Sequence, residues 1–255
     1  MSFVPRVFLP SLSSEIKEIA LGEPLAHYLT KVLRLKAGDH FWGIEPGGHE
    51  YDLVLERVDV GRPLALVLDR QVKPKEPDLS ITLAQGLPKG SKMDLILRQC
   101  TEVGVDRFIP LLTQHSVSRP ETSRHEHKGA RWSKILVEAC RQSGRNSIPR
   151  LDPLVEWNAG LSLFQEFDLV VMPYEKDAPG LRTILESVPI PKKILILIGP
   201  EGGWALDEVK EAGQNGALTV HLPTPILRTE TAGMATASMI RFFFGFTGYK
   251  AGGGS

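Results

Sequence analysis

The sequence predicts an α/β protein in two parts, a β-rich N-terminal module and a C-terminal, mainly parallel sheet with helices between its strands. Three observations carry this. Residues 1–72 hold short apolar or alternating segments separated by glycine and proline, as in a small barrel or sandwich. Val72–Asp78 (VKPKEPD) is rich in proline and charge and marks a linker. From Leu79 onward, apolar strand-like runs alternate with helical stretches, the pattern of βαβ units. The expected domains are 1–72 and 79–250, and a chain of 255 residues can give each its own core.

In the first part, strands are expected over Arg6–Leu9, His40–Ile44, Tyr51–Val58 and Leu64–Arg70. A helix over Glu23–Leu33 interrupts them, with Pro24 suited to its first turn. Leu33–Asp39 (LRLKAGD) reads as a basic strand entry and turn. In the second part the expected strands are Leu79–Ala84, Phe108–Leu112, Phe167–Met172, Ile194–Ile198 and Leu218–Leu222. Between them lie helices over Ser91–Val103, Ala130–Ser143, Ala178–Val188 and Asp207–Asn215, followed by Gly233–Phe244. Ser91 and Asp94 have the spacing of a capping box, and Gly104, Gly144 and Gly216 stand where helices stop. The polar, basic stretch His115–Lys128 reads as a mobile loop.

Composition excludes several classes. Thirty Lys/Arg balance thirty Asp/Glu, which argues against a general polyanion binder. The distribution is uneven, however: Gln85–Arg150 carries twelve Lys/Arg against six Asp/Glu. That basic middle is either a set of solvated helix faces or one surface turned toward nucleic acid. No secretory leader and no run long enough to span a bilayer is visible, so a cytoplasmic protein without a membrane partner is expected. The two cysteines, Cys100 and Cys140, lack metal-ligand spacing and read as small buried hydrophobes; no metal is expected. The terminal Gly252–Ser255 is left out of the fold reading.

Three loops at strand ends draw attention: Met172–Glu175, Gly199–Gly203 (GPEGG) and Leu222–Ala232 (LPTPILRTETA). If the sheet is parallel, all three fall on its carboxyl edge, where open α/β sheets bind ligands. The glycine loop matches neither a dinucleotide fingerprint nor a P-loop. Arg228, Thr229, Glu230 and Thr231, set between apolar residues and a helix start, form either a capping network or an active site. The small residues Gly233, Ala235, Ala237 and Ser238 permit close helix contact, either with the helix's own sheet or across a homodimer seam.

Four motifs in order, LPKGSKMDLILRQCTEVGV (Leu87–Val105), EACRQSGR (Glu138–Arg145), IGPEGGW (Ile198–Trp204) and LPTPILRTETA (Leu222–Ala232), resemble the bacterial 16S rRNA uridine-N3 methyltransferases of the SPOUT superfamily. HYLTKVLRLKAGD (His27–Asp39) extends the resemblance to nearly the whole chain. It implies a PUA-like β-barrel that helps hold rRNA, a C-terminal SPOUT domain tied into a deep trefoil knot, S-adenosyl-L-methionine as cofactor, and a homodimer. It further implies 16S rRNA in the small ribosomal subunit as partner, with the target uridine near the decoding centre. The cofactor-binding residues it implies are Met172, Pro173, Tyr174, Ile198, Gly199, Pro200, Glu201, Gly202, Gly203, Leu222, Ile226, Leu227, Thr229, Thr231 and Ala232.

Methylating uridine N3 requires loss of an imide proton and stabilisation of negative charge on the ring oxygens. Arg228 and Glu230 are the natural pair, with Glu201 the competing carboxylate; in the alternative, Arg228 and Glu230 form an ion pair that only shapes the loop. Candidate RNA contacts are Arg6, Arg34 and Lys36 in the first part and Lys89, Lys92, Arg98, Arg141 and Arg145 in the basic middle. Two rival functions remain: methylation of tRNA or a ribose hydroxyl by a related enzyme, and a non-catalytic ribosome-assembly factor.

Overall fold

The computed structural model describes residues 4–10, 12, 16–45, 49–58, 63–72, 79–116, 122–176 and 178–245. It divides into two compact units, Met1–Lys75 with Cys140–Ser147, and Glu76–Ala139 with Ile148–Ser255.

The first unit is a five-stranded sheet. Its strands are β1 (Arg6–Phe8), β2 (Glu18–Ala20), β3 (His40–Ile44), β4 (His49–Arg57) and β5 (Leu64–Val72), in the order β1-β3-β4-β5-β2. β1 joins β3 in parallel and the other pairs are antiparallel. Tyr51, Leu53 and Leu55 alternate inward along β4 and meet Val7, Leu29 and Phe41 in one core, the period-2 pattern of a half-buried strand. Among the described residues β1 and β2 are the edges of the sheet, which forms a half-barrel. β2 escapes sequence reading because a three-residue strand with a charged end shows no periodicity. The expected helix forms as α1 (Glu23–His27) and continues as a π turn over Tyr28–Val32. Leu33–Asp39 leads through a turn at Ala37 and Gly38 into β3, with Arg34 at φ +58°.

The second unit is a seven-stranded sheet in which every pairing is parallel. Its strands are β6 (Ser80–Gly86), β7 (Arg107–Leu112), β8 (Arg150–Leu151), β9 (Val155–Glu156), β10 (Leu169–Pro173), β11 (Lys193–Ile198) and β12 (Leu218–Val220). The order is β12-β10-β11-β6-β7-β8, with β9 also beside β7. Ile81–Gly86 and Ile194–Ile198 are buried throughout, as central parallel strands covered on both faces must be. Leu83, Ile194 and Ile196 face one layer of the core, and Ala84, Leu195 and Leu197 the other.

The helices are α2 (Lys92–Glu102), α3 (Thr122–Ser143), α4 (Trp157–Ser162), α5 (Leu181–Ser187), α6 (Leu206–Gln214) and α7 (Thr229–Phe244). Three expectations are corrected. The Ser91–Asp94 capping box does not form: Ser91 makes no side-chain cap bond, and the Asp94 carboxylate takes Arg131 instead. α3 begins at Thr122, so residues 122–128 are helical, and of the expected loop only His115 and Ser116 are described as non-helical. α7 begins at Thr229, four residues before Gly233, which places Thr229–Ala232 in its first turn.

α7 packs against α2, β6 and β11. A Cβ on Gly233 would stand 3.1 Å from Leu83 and 3.5 Å from the Cys100 sulfur, so that glycine serves contact with its own sheet. Near the other end of α7, Arg241 is 7% exposed. Its guanidinium donates to the Leu79 carbonyl (2.8 Å), the Asp106 carboxylate (2.9 Å) and the Gly104 carbonyl, fastening α7 to the start of β6 and the α2–β7 turn.

Breaking a buried, hydrogen-bonded ion pair from one side costs about 3–5 kcal/mol. Arg241→Leu should lower the unfolding free energy by about that amount in urea titrations. Burial pushes the Cys100 thiol up to about 12. A thiol-directed alkylating reagent at pH 8 should therefore leave Cys100 unmodified until the protein is unfolded.

Candidate active site

Gln85, at the carboxyl end of β6, is fully buried. Its Nε2 donates to the Gly86 carbonyl (3.0 Å), the Gly199 carbonyl (3.4 Å) and the Thr229 hydroxyl (2.9 Å). Thr229 in turn donates to the Gly199 carbonyl at 2.6 Å. This chain of hydrogen bonds joins the end of β6, the glycine loop after β11 and the first residue of α7. Gly86 permits the approach: a Cβ there would lie 2.6 Å from Pro200 Cδ. Gly202 does the same for His115, whose Cβ would lie 2.9 Å away. Gly86 and Gly202 thus admit the chain's own neighbours. Gln85 was not singled out from the sequence, although one amide in an otherwise apolar strand, ITLAQG, was the available signal.

Outside this knot of bonds lies a group of charges. Lys92 Nζ, at the N-terminus of α2, is 2.9 Å from the Glu201 carboxylate and 3.4 Å from Glu230 Oε2. Glu201 also accepts from the Lys89 amide at 3.1 and 3.3 Å. Burial pushes the Glu201 carboxyl up, but Lys92 and the Lys89 amide outweigh it and hold it below the ordinary value of 4.5. The hydrogen bond to Glu201 likewise raises Lys92 above the ordinary lysine value. Glu230 is mostly buried, and its Oε2 has no hydrogen-bond partner among the described residues. Arg228 NH1 reaches Glu230 Oε1 only at 4.0 Å, and its side chain is 85% exposed. Arg228 occupies the N-cap of α7 without a side-chain cap bond, so the charged cluster is not a capping network.

The first and third loops meet around a solvent-open cleft lined by Pro173, Tyr174, Glu175, His221, Leu222, Thr224, Pro225, Ile226, Leu227 and Ala232. Ile226 is 82% exposed there, an apolar side chain with no cover of its own. Of the expected cofactor residues, Pro173, Tyr174, Leu222, Ile226, Leu227 and Ala232 line this cleft. Met172 and Ile198 are buried in the sheet, Thr229 is committed to Gln85 and Gly199, and Thr231 is half-buried in the first turn of α7. Gly199–Gly203 stand beside β6 and the start of α2 instead of in the cleft wall. His221, whose strand position concealed it in the sequence, joins the lining.

The RNA candidates separate in the same way. Arg34 and Lys36 in the first unit, and Lys89 and Arg98 in the second, are exposed. Arg6 is bonded to the buried Glu50 and to Asn146, Arg141 lies 4.2 Å over the Tyr28 ring, and Arg145 reaches the Ser147 hydroxyl at 3.5 Å. Among the described residues no group of His, Cys, Asp or Glu is arranged to hold a metal, and no helix is long and apolar enough to cross a membrane.

The family of RNA methyltransferase domains matches residues 74–241. The chain is 31% identical to the ribosomal RNA small subunit methyltransferase E of Bacillus subtilis (strain 168), over 93% of this chain and 96% of the relative. It is 34% identical to the protein of the same name from Synechocystis sp., over 84% of this chain and 69% of the relative. Among solved structures, the ribosomal RNA small subunit methyltransferase E of Neisseria gonorrhoeae bound to S-adenosyl methionine matches with a TM-score of 0.84 at 28% identity, over 94% of this chain and 98% of that one.

Thr229→Val removes two hydrogen bonds at the carboxyl edge of the sheet and should destabilise the protein by about 1–3 kcal/mol in chemical denaturation. Because the folded Glu201 titrates below 4.5, its charge favours the folded form fully above that value, and the contribution fades as pH falls through the folded value. The stability gap between wild type and Glu201→Gln should accordingly narrow under acid conditions, as measured by thermal melts across pH.

Proposed function

The chain belongs to the ribosomal RNA small subunit methyltransferase E family of RNA methyltransferases, and on that premise we propose that it transfers a methyl group from S-adenosyl-L-methionine to N3 of a uridine in 16S rRNA. The observation that carries this reading is the placement of Glu230 in the first turn of α7, mostly buried, with the exposed Arg228 of the cleft-forming loop 4.0 Å away. The finer expectations belong to the same proposal: a target near the decoding centre, a PUA-like first unit that helps hold the RNA, and a knotted second unit. The return of α7 onto β6 and β11 after the edge strand β12 supports the last of these.

The cleft suits the cofactor. Exposed Ile226, with Leu227, Pro173 and Pro225, offers apolar surface for an adenine, and the turns around Leu222 offer main-chain polar groups. S-adenosylmethionine supplies an electrophilic methyl on a sulfonium; on transfer the N3–C bond forms, the S–C bond breaks and a neutral thioether leaves. Glu230 takes the N3 proton, since its carboxylate is held by fewer hydrogen bonds than that of Glu201. Arg228, extended into solvent, closes on the ring oxygens that carry the developing charge. Glu201, held by Lys92 and the Lys89 amide, ranks second as base.

Exposed Arg34, Lys36, Lys89 and Arg98 provide phosphate contacts, each adding about 0.7–0.9 to the salt slope of RNA binding. The homodimer is supported by an apolar patch on α7 and α5, where Phe242 is 91% exposed beside Met239, Phe243 and Pro223.

Calorimetry should detect binding of S-adenosylmethionine, and mass spectrometry of 16S rRNA from treated subunits should place the new methyl on N3 of a uridine. A methyl on a ribose or on tRNA would overturn the substrate assignment. Glu230→Gln should slow single-turnover methylation by about 10²–10⁴-fold; a wild-type rate across the pH range would remove Glu230 as base. Phe242→Glu should convert a dimer to a monomer in sedimentation.

A further inference from the structure

Lys92 has the position of a surface cation at a helix start, and the sequence gives it a phosphate-binding role. The structure engages it otherwise. Its ammonium stands 2.9 Å from Glu201 and 3.4 Å from Glu230, so one cation spans the carboxylate of the glycine loop and the carboxylate of the α7 first turn. The charged and titratable groups facing this pair are few. Glu201 sees Lys92 and the Lys89 amide; Glu230 sees Lys92 and, at 4.0 Å, Arg228. From α2 itself, Asp94 is taken by Arg131, and His115 across the loop is turned to the Gly203 carbonyl at 3.2 Å.

Without Lys92, two carboxylates on adjoining segments would repel, and among the described residues no other cation pairs with both of them. The Gln85–Thr229–Gly199 bonds fix the backbone of both segments from inside but touch neither carboxylate. Lys92 is the cation that the two glutamate side chains share, beside the Lys89 amide on Glu201 and Arg228 on Glu230.

We propose that Lys92 is a positioning residue for methyl transfer, a bridge that holds Glu201 and Glu230 in a fixed arrangement beside the incoming base and thereby aims Glu230 at the substrate. This rests on the proposed methyltransferase reading but is separable from it. Lys92 contacts no substrate in this role; it acts through Glu230.

The test compares wild type, Lys92→Met and Lys92→Arg, using small ribosomal subunits unmethylated at the target and S-adenosylmethionine. In Lys92→Met, kcat should fall at least 10-fold, while KM for the subunit and the salt slope of binding stay within twofold of wild type. Lys92→Arg should recover most of kcat, because a guanidinium can span the same two carboxylates. In parallel, the ¹³C-carboxyl resonance of Glu201 should titrate at higher pH in Lys92→Met than in wild type and return toward it in Lys92→Arg. A raised KM with a flatter salt slope and intact kcat would overturn the proposal in favour of a phosphate contact. An unchanged Glu201 titration would overturn the bridge itself, even if wild type transferred no methyl group; that last result would instead count against the methyltransferase reading.

Discussion

The second unit's carboxyl edge depends on one buried amide. Gln85 sits 114 residues from Gly199 and 144 from Thr229, yet a single Nε2 reaches both. In a site excluded from water, each of these polar atoms would be costly if left alone, so the arrangement is close to all-or-none. Because Thr229 is the first residue of α7, fixing its hydroxyl to Gly199 also fixes where the helix begins. The side chain of Glu230, one residue on, then projects from a determined point. Arg241 secures the other end of the same helix to the start of β6, so α7 is tied at both ends to one strand.

That rigidity explains the disposition of the charges outside it. Two carboxylates and one ammonium are gathered where three chain segments meet, each segment following or preceding an element of the sheet layer. A single cation between two anions leaves net negative charge, which Arg228 and an incoming cationic cofactor would offset on the proposed reading. The same excess would repel RNA phosphates close by.

Most of the sheet was legible because its interior strands are continuous apolar runs ended by glycine or proline, and five of the seven strands of the second unit were anticipated close to their limits. β8 and β9 were not, since two residues cannot display a period. The start of α3 was missed because TSRHEHK carries no apolar face to announce a helix. At the site, the three loops were visible as loops, but their division of labour was not. Glycines read as room for a ligand, whereas Gly86 and Gly202 make room for Pro200 and His115. Lys92, Arg6 and Arg141 read as cations for phosphate, while their partners here are Glu201, Glu50 and Tyr28. A sequence displays a charge but not the side chain that meets it.

Hydrogen-bond accounting separates the two carboxylates that spacing alone left in competition. Glu201 accepts from the Lys89 amide through both oxygens and from Lys92 through one. Protonating it would sacrifice those bonds, and its depressed titration reflects that resistance. Such a carboxylate is a poor proton acceptor, because what stabilises its charge must be given up when the proton arrives. Glu230 Oε2, buried and without a hydrogen bond among the described residues, stands in an ion pair with Lys92 at 3.4 Å. On the proposed reading Glu230 is the better placed of the two, because fewer hydrogen bonds hold its carboxylate. On that reading Glu201 serves to keep Lys92 in place, and the glycine loop would contribute through its glutamate as an anchor for the cation beside Glu230.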